Sequence, residues 1–374
     1  MENRIITWKM IEKAAEDLSP VYFLANENID KGIGLFGAGV SAVPCHDFLT
    51  EKNHSVSCFV DNSPEKQKHP CCGLQVIPPS SFDGGVLFIT NQTYAKAIEK
   101  SYAAHFAGAG RNTALITLRA FFTMRNMERF TRLRDNAFFD SESKNVLDTM
   151  IYENLTSENR FWHCISNKNQ YFCLDELMDG ANEVYVDIGA AVGDTIERFI
   201  WEKNGYISRI YAFEPSPREY EALKYRMERL TREWMFSENQ IIMVKAGIGE
   251  KTGKRILQSN KLGTNNFILN SWDTVQNNAE GDRIDIYCMD DYFRDVPVTF
   301  IKADVEGYEM RCLRGASAVI KRDKPKMALC IYHKPEDIFD FTKYISSIVP
   351  EYKFKLRHHS RNWTETVLYA FVEI

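Results

Sequence analysis

Residues 184 to 195 read VYVDIGAAVGDT. An apolar run closes on Asp187, the turn holds Gly189 and Gly193, and Asp194 follows at once. Glu214 stands about twenty residues on, at the end of the next apolar run, the spacing of a ribose-binding acid in a strand-turn-helix-strand unit. Two carboxylates flanking a glycine turn make a poor cradle for a diphosphate. Like charges a few ångströms apart repel by about 1 kcal/mol even in water, and by more in a partly desolvated cleft. The same turn suits a cationic ligand without phosphate, and S-adenosylmethionine, with its sulfonium and ammonium groups, is such a ligand. Gly189 and Gly193 would permit close backbone approach, Asp187 or Asp194 would face the positive groups, and Glu214 would accept from both ribose hydroxyls. A charge-assisted hydrogen bond of this kind contributes about 1.5–3 kcal/mol. The plainer alternative leaves Asp187 a strand-end carboxylate and Asp194 a helix N-terminal charge.

A second glycine turn lies earlier. Residues 33 to 42, IGLFGAGVSA, match G-x-G-x-x-G/A, and Asp61 ends the following apolar run. Here no acid sits in the turn. Gly37 and Gly39 would let backbone N–H groups approach a diphosphate at a helix N-terminus, with Asp61 on a ribose diol. That pattern carries an alternative function, an NAD(P)-dependent oxidoreductase or a nucleotide-sugar-binding protein. It is equally a tight structural turn.

The elements that must hold these loops follow from periodicity. Residues 4 to 29 read as a helix, 33–36 as a strand, Val40 to about Lys52 as a helix, 55–61 as a strand and 86–90 as a strand, with a helix from Tyr94. This order predicts a small parallel Rossmann-like domain over residues 1–110. Residues 111–182 are predicted as a helical connector, with six arginines in RNTALITLRAFFTMRNMERFTRLRD and Ser141 or Ser143 as a helix cap. Those arginines read as a solvated face with buried stems, or as a site for an anionic substrate. The domain 183–374 is predicted to hold strands at 184–188, 209–213, 241–245, 299–304 and 327–333, helices at 216–230, 306–320 and 335–347, and paired strands at 352–358 and 365–374. Residues 250–296 form an excursion of short strands or a hairpin.

With 374 residues and 44 % hydrophobic content, the chain can build two cores. A formal charge of −5 argues against a general nucleic-acid binder. Nine scattered cysteines without a C-x-x-C fit a reducing cytoplasm, not a zinc site or disulfide framework. The N-terminus is a charged amphipathic helix, not a secretion signal, and no apolar run is long enough to span a bilayer. A cytoplasmic α/β protein is expected.

Five ordered segments, VDIGAAVGDT, AFEPSP, VTFIKADVEGYEMRCLRGA, CIYHKPEDI and LRHHS…ETVLYA, resemble the FkbM-type methyltransferases over about residues 135 to 374, with NQYF in the connector. The resemblance implies a class I, S-adenosylmethionine-dependent fold: a Rossmann-like sheet, mostly parallel with an antiparallel late strand. It implies O-methylation of a hydroxyl on a sugar, glycan or secondary metabolite. The matching cofactor positions are Asp187, Gly189, Ala190, Gly193, Asp194, Thr195, Glu214 and Pro215. The family text IKxDxEGxE is met by Ile301, Lys302, Asp304, Glu306, Gly307 and Glu309, whereas KAGIG at 245–249 falls where family wording varies. The N-terminal part, with GAGxxA, FVDN and GLQVIPP, more loosely resembles the Rossmann-like leader of some sugar-modifying enzymes. That hints at a nucleotide or nucleotide-sugar on Gly37, Gly39 and Asp61.

For such a transfer the protein must align the acceptor oxygen, exclude water and take a proton. Asp304 ends the fourth predicted strand and His333 the fifth, so both would point into the cleft at the carboxyl edge of a doubly wound sheet. His333 is expected as the base or orienting group, since an unperturbed imidazole titrates near 6.5, with Asp304 holding it or the acceptor hydroxyl. Lys302 would pair with Asp304 or contact an anionic substrate, and a purely structural ion pair is the alternative. Glu306 and Glu309 serve equally as N-terminal charges of the next helix. A divalent metal on Asp304, Glu306 and His333 is chemically tolerable. Methyltransferases commonly work without one, so no metal is assigned. His358 and His359 are expected as surface or packing residues, with one of them lining the acceptor site as the alternative, and Asp290 and Asp291 as adenine-side or structural.

Overall fold

A computed structural model describes residues 6–39, 41–107, 112–259, 266–268 and 281–373. Val40, Arg111, the first residues of the helix expected at 4–29, residues 269 and 270 of NFILN, and Ile374 lie outside the described residues. The chain forms two compact units: residues 1–166 with 356–364, and residues 167–355 with 365–374. The expected connector is thereby shared between them. Among the described residues no helix is long and apolar enough to cross a membrane.

The first unit carries strands β1 (Ile33–Phe36), β2 (Val56–Val60), β3 (Val76–Ile77), β4 (Val86–Ile89) and β5 (Ala114–Thr117), in the order β3-β2-β1-β4-β5. All the pairs are parallel. β1, β4 and β5 are buried at every residue, as strands covered on both faces must be. Leu35 and Phe88 join one apolar cluster with Ala25 of the helix Trp8–Asn28. Phe36, Leu87 and Ile89 join another with Ala95 and Phe106 of the helix Ala95–Ala107. Alternate residues thus feed opposite faces. β5 corrects the reading of ALIT as helical text. Four apolar residues carry too little periodicity to separate strand from buried helix, and pairing with β4 decides it. Thr117 then caps the helix Leu118–Arg125 by accepting from Ala120 N at 3.0 Å.

The helix Ser141–Thr156 is capped by Asp140, which accepts from Ser143 N at 2.8 Å, and not by Ser141 or Ser143. Much of the arginine-rich stretch is spent internally. Arg134 grips Asp148 with two bonds of 2.7 and 2.9 Å, and Arg132 pairs with Glu128.

The second unit carries β6 (Glu183–Ile188), β7 (Ile207–Phe213), β8 (Ile241–Val244), β9 (Gly247–Ile248), β10 (Gly253–Ser259), β11 (Asn266–Ile268), β12 (Asp282–Tyr287), β13 (Phe300–Ala303), β14 (Lys326–Cys330), β15 (Lys353–His358, entering the first unit at Leu356) and β16 (Thr366–Phe371). The seven-stranded sheet runs β15-β16-β14-β13-β6-β7-β8. β14, β13, β6, β7 and β8 are parallel and β16 antiparallel, as expected. From β6 the chain winds outward through β7 and β8, then returns to wind the other way through β13 and β14. The reversal makes the crevice at the carboxyl ends of β6 and β13 the ligand position of such a sheet. The core beneath it stacks Tyr185 on Phe199 at 4.2 Å, with Phe300 and Phe172 edge-on. The excursion is a four-stranded sheet, β11-β10-β12-β9. The helix expected at 306–320 is broken into Glu309–Arg314 and Ser317–Asp323. A Cβ on Gly315 would sit 2.0 Å from Gly249 O, and Asp290 caps the second piece through Ala318 N and Val319 N. Asp290 is therefore structural.

Candidate active site

β6 delivers Asp187 to the crevice, but not to its surface. Its side chain is fully buried, Oδ1 lies 3.0 Å from Lys302 Nζ, and Oδ2 accepts from Tyr185 Oη at 3.1 Å. Asp187 and Lys302 are register partners on β6 and β13, which places their side chains together. Lys302 Nζ also donates to Gly189 O at 2.7 Å. The expectation that Asp187 faces a positive ligand is thus corrected: its charge is met from within. So is the expectation for Lys302, which pairs with Asp187 and not with Asp304 and, at 3 % exposure, fastens the glycine loop instead of reaching substrate. Burial pushes the Asp187 carboxyl up, against the pull of Lys302.

Gly189 and Gly193 both have φ of +80°. A Cβ on Gly189 would lie 2.1 Å from Asp304 O, and one on Gly193 would lie 2.7 Å from Leu223 Cδ1 and Met227 Cε. These glycines make room for the protein's own packing, where the sequence suggested room for a ligand. The turn is held by Glu214, at the exit of β7. Its Oε2 accepts from Ala191 N and its Oε1 from Ser216 N, both at 2.8 Å. A carboxylate has about four acceptor sites, so two remain for hydroxyl donors. Ala190 is buried, Thr195 and Pro215 are half-buried, and Asp194 is exposed at the start of the helix Asp194–Glu202.

Asp304, just past β13, accepts from Tyr171 Oη at 2.8 Å and from Tyr332 Oη at 3.3 Å. Burial opposes its ionisation, but the charges of Lys302 and His333 and the Tyr171 hydroxyl outweigh it and hold the carboxyl below its usual range. His333 lies beyond β14 with a side chain 8 % exposed. Its Nδ1 is 2.9 Å from Glu309 Oε1, and its Nε2 is 3.5 Å from Glu306 Oε2 and 3.7 Å from Asp304 Oδ1. Burial alone would lower its pKa; the three carboxylates win and push it up to about 10. The surrounding carboxylates thus favour the charged form of the ring. Three acids distant in sequence converge on it, so the unperturbed value misleads and the base role falls away. Glu309 opens its helix and Glu306 sits in the preceding turn at φ +54°.

Sequence reasoning did not single out Tyr332 and Glu365. Glu365 accepts from Gln170 Nε2 at 2.5 Å. Tyr171 entered only through the NQYF resemblance, and its neighbourhood with Asp304 needs the fold. His358 is fully buried against Trp162, with ring centroids 4.7 Å apart. In the first unit, Asp61 ends β2 as expected, but Oδ2 accepts from Ala38 N and Lys66 Nζ, and Oδ1 from Ser63 N, each at 2.9 Å.

Residues 187–356 match the family model of the methyltransferase FkbM domain. Those residues form an FkbM-type methyltransferase domain. The methyltransferase FkbM from Methylobacillus flagellatus KT is similar in fold over both units, at 23 % identity, covering 96 % of this chain and 98 % of that one with a TM-score of 0.60. An rRNA methylase from Streptococcus thermophilus aligns over 54 % of this chain and 93 % of its own at 14 % identity, with a TM-score of 0.33. None of the curated proteins matches the chain. The chain carries a methyltransferase domain.

Proposed function

We propose that the domain transfers the methyl group of S-adenosylmethionine to a hydroxyl oxygen of a sugar, glycan or secondary metabolite. The observation that supports this reading is Glu214. It is anchored at the exit of β7 by two backbone N–H groups and keeps acceptor sites for a ribose diol. With Asp194 exposed beside it, the turn holds acids and no free cation among the described residues, because Lys302 is committed to Asp187. A diphosphate would be repelled there and a sulfonium attracted. Gly189, Ala190, Gly193, Thr195 and Pro215 shape the rest of the cradle.

Asp304 is the group we assign to the acceptor hydroxyl. Its carboxylate is held ionised and aimed by two tyrosine hydroxyls. His333 stands beside it, Nε2 3.7 Å from Asp304 Oδ1, as an orienting group. The Rossmann-like N-terminal part, residues 1–110 on sequence grounds, is accessory in this reading, since Asp61 is already satisfied by Ala38, Ser63 and Lys66. Calorimetric titration with S-adenosylhomocysteine is the test, and saturable heat is expected. Absence of both heat and a thermal shift, with retention of NAD(H) instead, would overturn the reading. Labelled donor offered to hydroxylated and to amine acceptors then tests the oxygen specificity.

A further inference from the structure

Negative charge gathers around His333 beyond what that one ring can answer. Asp304, Glu306 and Glu309 lie within 3.7 Å of its nitrogens. Asp337, 4 % exposed, and Glu365 lie in the elements packed behind, and burial pushes both of their carboxyls up, away from the charged form. Lys302 is already held by Asp187. Yet neither ring nitrogen of His333 makes a hydrogen bond, and neither does Glu309 Oε2, although the His333 side chain is only 8 % exposed and Glu309 is fully buried. Glu309 Oε1 meets Nδ1 at ion-pair distance without hydrogen-bond geometry. Buried polar atoms are almost always satisfied, and a cluster of orphans of complementary type points to a missing ion.

Donor atoms from Asp304, Glu309 and His333 all lie within 4.8 Å of one another. Three ligands bonded to one ion at about 2.1 Å stand roughly 3.0–4.2 Å apart, so the side chains would draw inward as the ion binds. Two of the three are oriented by outer partners: Asp304 by the hydroxyls of Tyr171 and Tyr332, and Glu309 by Val305 N at 2.8 Å. Such outer hydrogen bonds are what fix ligands in metal sites.

We propose that Asp304, Glu309 and His333 hold a divalent transition-metal cation of the Mn2+ or Zn2+ kind, with open positions for the acceptor hydroxyl. Two carboxylates and one imidazole suit those ions. The ion's role rests on the methyl-transfer reading above; the site itself does not. A bound ion would polarise the acceptor O–H. The proton passes to Glu306, the C–O bond forms as the S–CH3 bond breaks, and a neutral thioether leaves. His333 is then a ligand, and the positive charge it would otherwise carry is supplied by the ion.

The experiment uses the full chain, stripped with a chelator and titrated with MnCl2 under electron paramagnetic resonance, beside a titration with S-adenosylhomocysteine. One Mn2+ per chain is expected, with nitrogen-14 coupling from an imidazole. His333→Gln should abolish the coupling, and Asp304→Asn and Glu309→Gln should weaken binding at least about tenfold. No uptake of Mn2+ or Zn2+, uptake without nitrogen coupling, or uptake unchanged in the variants would overturn the site and leave a protonated His333 as the answer to the acids. If a variant does not fold by circular dichroism, the nitrogen coupling of the unaltered chain decides. Metal uptake without binding of S-adenosylhomocysteine would sink the methyl-donor reading and spare the site. The reverse result would do the opposite.

Discussion

Lys302 Nζ stands 3.0 Å from Asp187 Oδ1, and the two residues are paired in register across adjacent parallel strands with side chains 3 % and 0 % exposed. The pair sits under the glycine turn, and the same ammonium bonds Gly189 O. A buried ion pair of this kind is weak evidence of stability in itself. Breaking it on one side is costly, because the other charge stays buried.

Lys302→Met should therefore destabilise the chain by about 3–5 kcal/mol. Replacing both members, Lys302→Met with Asp187→Leu, should recover most of that loss. Denaturant unfolding of the two variants measures it. Equal losses in both would show that the lysine acts only through the Gly189 carbonyl.

Glu214→Ala removes the acceptor for Ala191 N and Ser216 N and the sites left for a ribose. Loss of one charge-assisted bond corresponds to about 1.5–3 kcal/mol, or roughly a ten- to hundredfold weaker affinity for S-adenosylhomocysteine. Calorimetry on the variant reads this directly, and an unchanged affinity would remove Glu214 from the site.

Gly189→Ala forces a side chain into φ +80° and within 2.1 Å of Asp304 O. The backbone conformation alone costs about 1–3 kcal/mol. The clash must also push Asp304 off its tyrosines. A lower melting temperature together with weaker ligand binding is expected.

His358 gives the stability a pH dependence. Burial drives its pKa down from 6.5 to about 3. Between those values the folded chain binds fewer protons than the unfolded one, so stability rises with pH there. It is complete above about pH 6.5 and falls by up to ~1.4 kcal/mol per pH unit as acidity increases. His358→Phe should flatten that slope in a series of urea melts from pH 4 to pH 7. The carboxylates contribute a background slope, so the difference between the two chains is the quantity to compare.

What the sequence made legible was local. Asp187, Gly189, Gly193 and Glu214 lie in one strand-turn-helix-strand run, and spacing alone places them together. The pairing of Asp187 with Lys302 depends on β13 returning beside β6, which no local pattern records. The same applies to Tyr171 and Tyr332 on Asp304, which come from three separate segments. The surroundings of His333 are not legible locally either, because Glu309, Glu306 and Asp304 come to it from another segment. ALIT was misjudged for a different reason: four buried residues look alike in a helix and in a fully covered strand.

The chain leaves the second unit at Leu356, contributes residues 356–364 to the first, and comes back to lay down β16 beside β14. Each unit is therefore built from two separate stretches of chain. A nick in the loop between β15 and β16 would therefore injure both units at once.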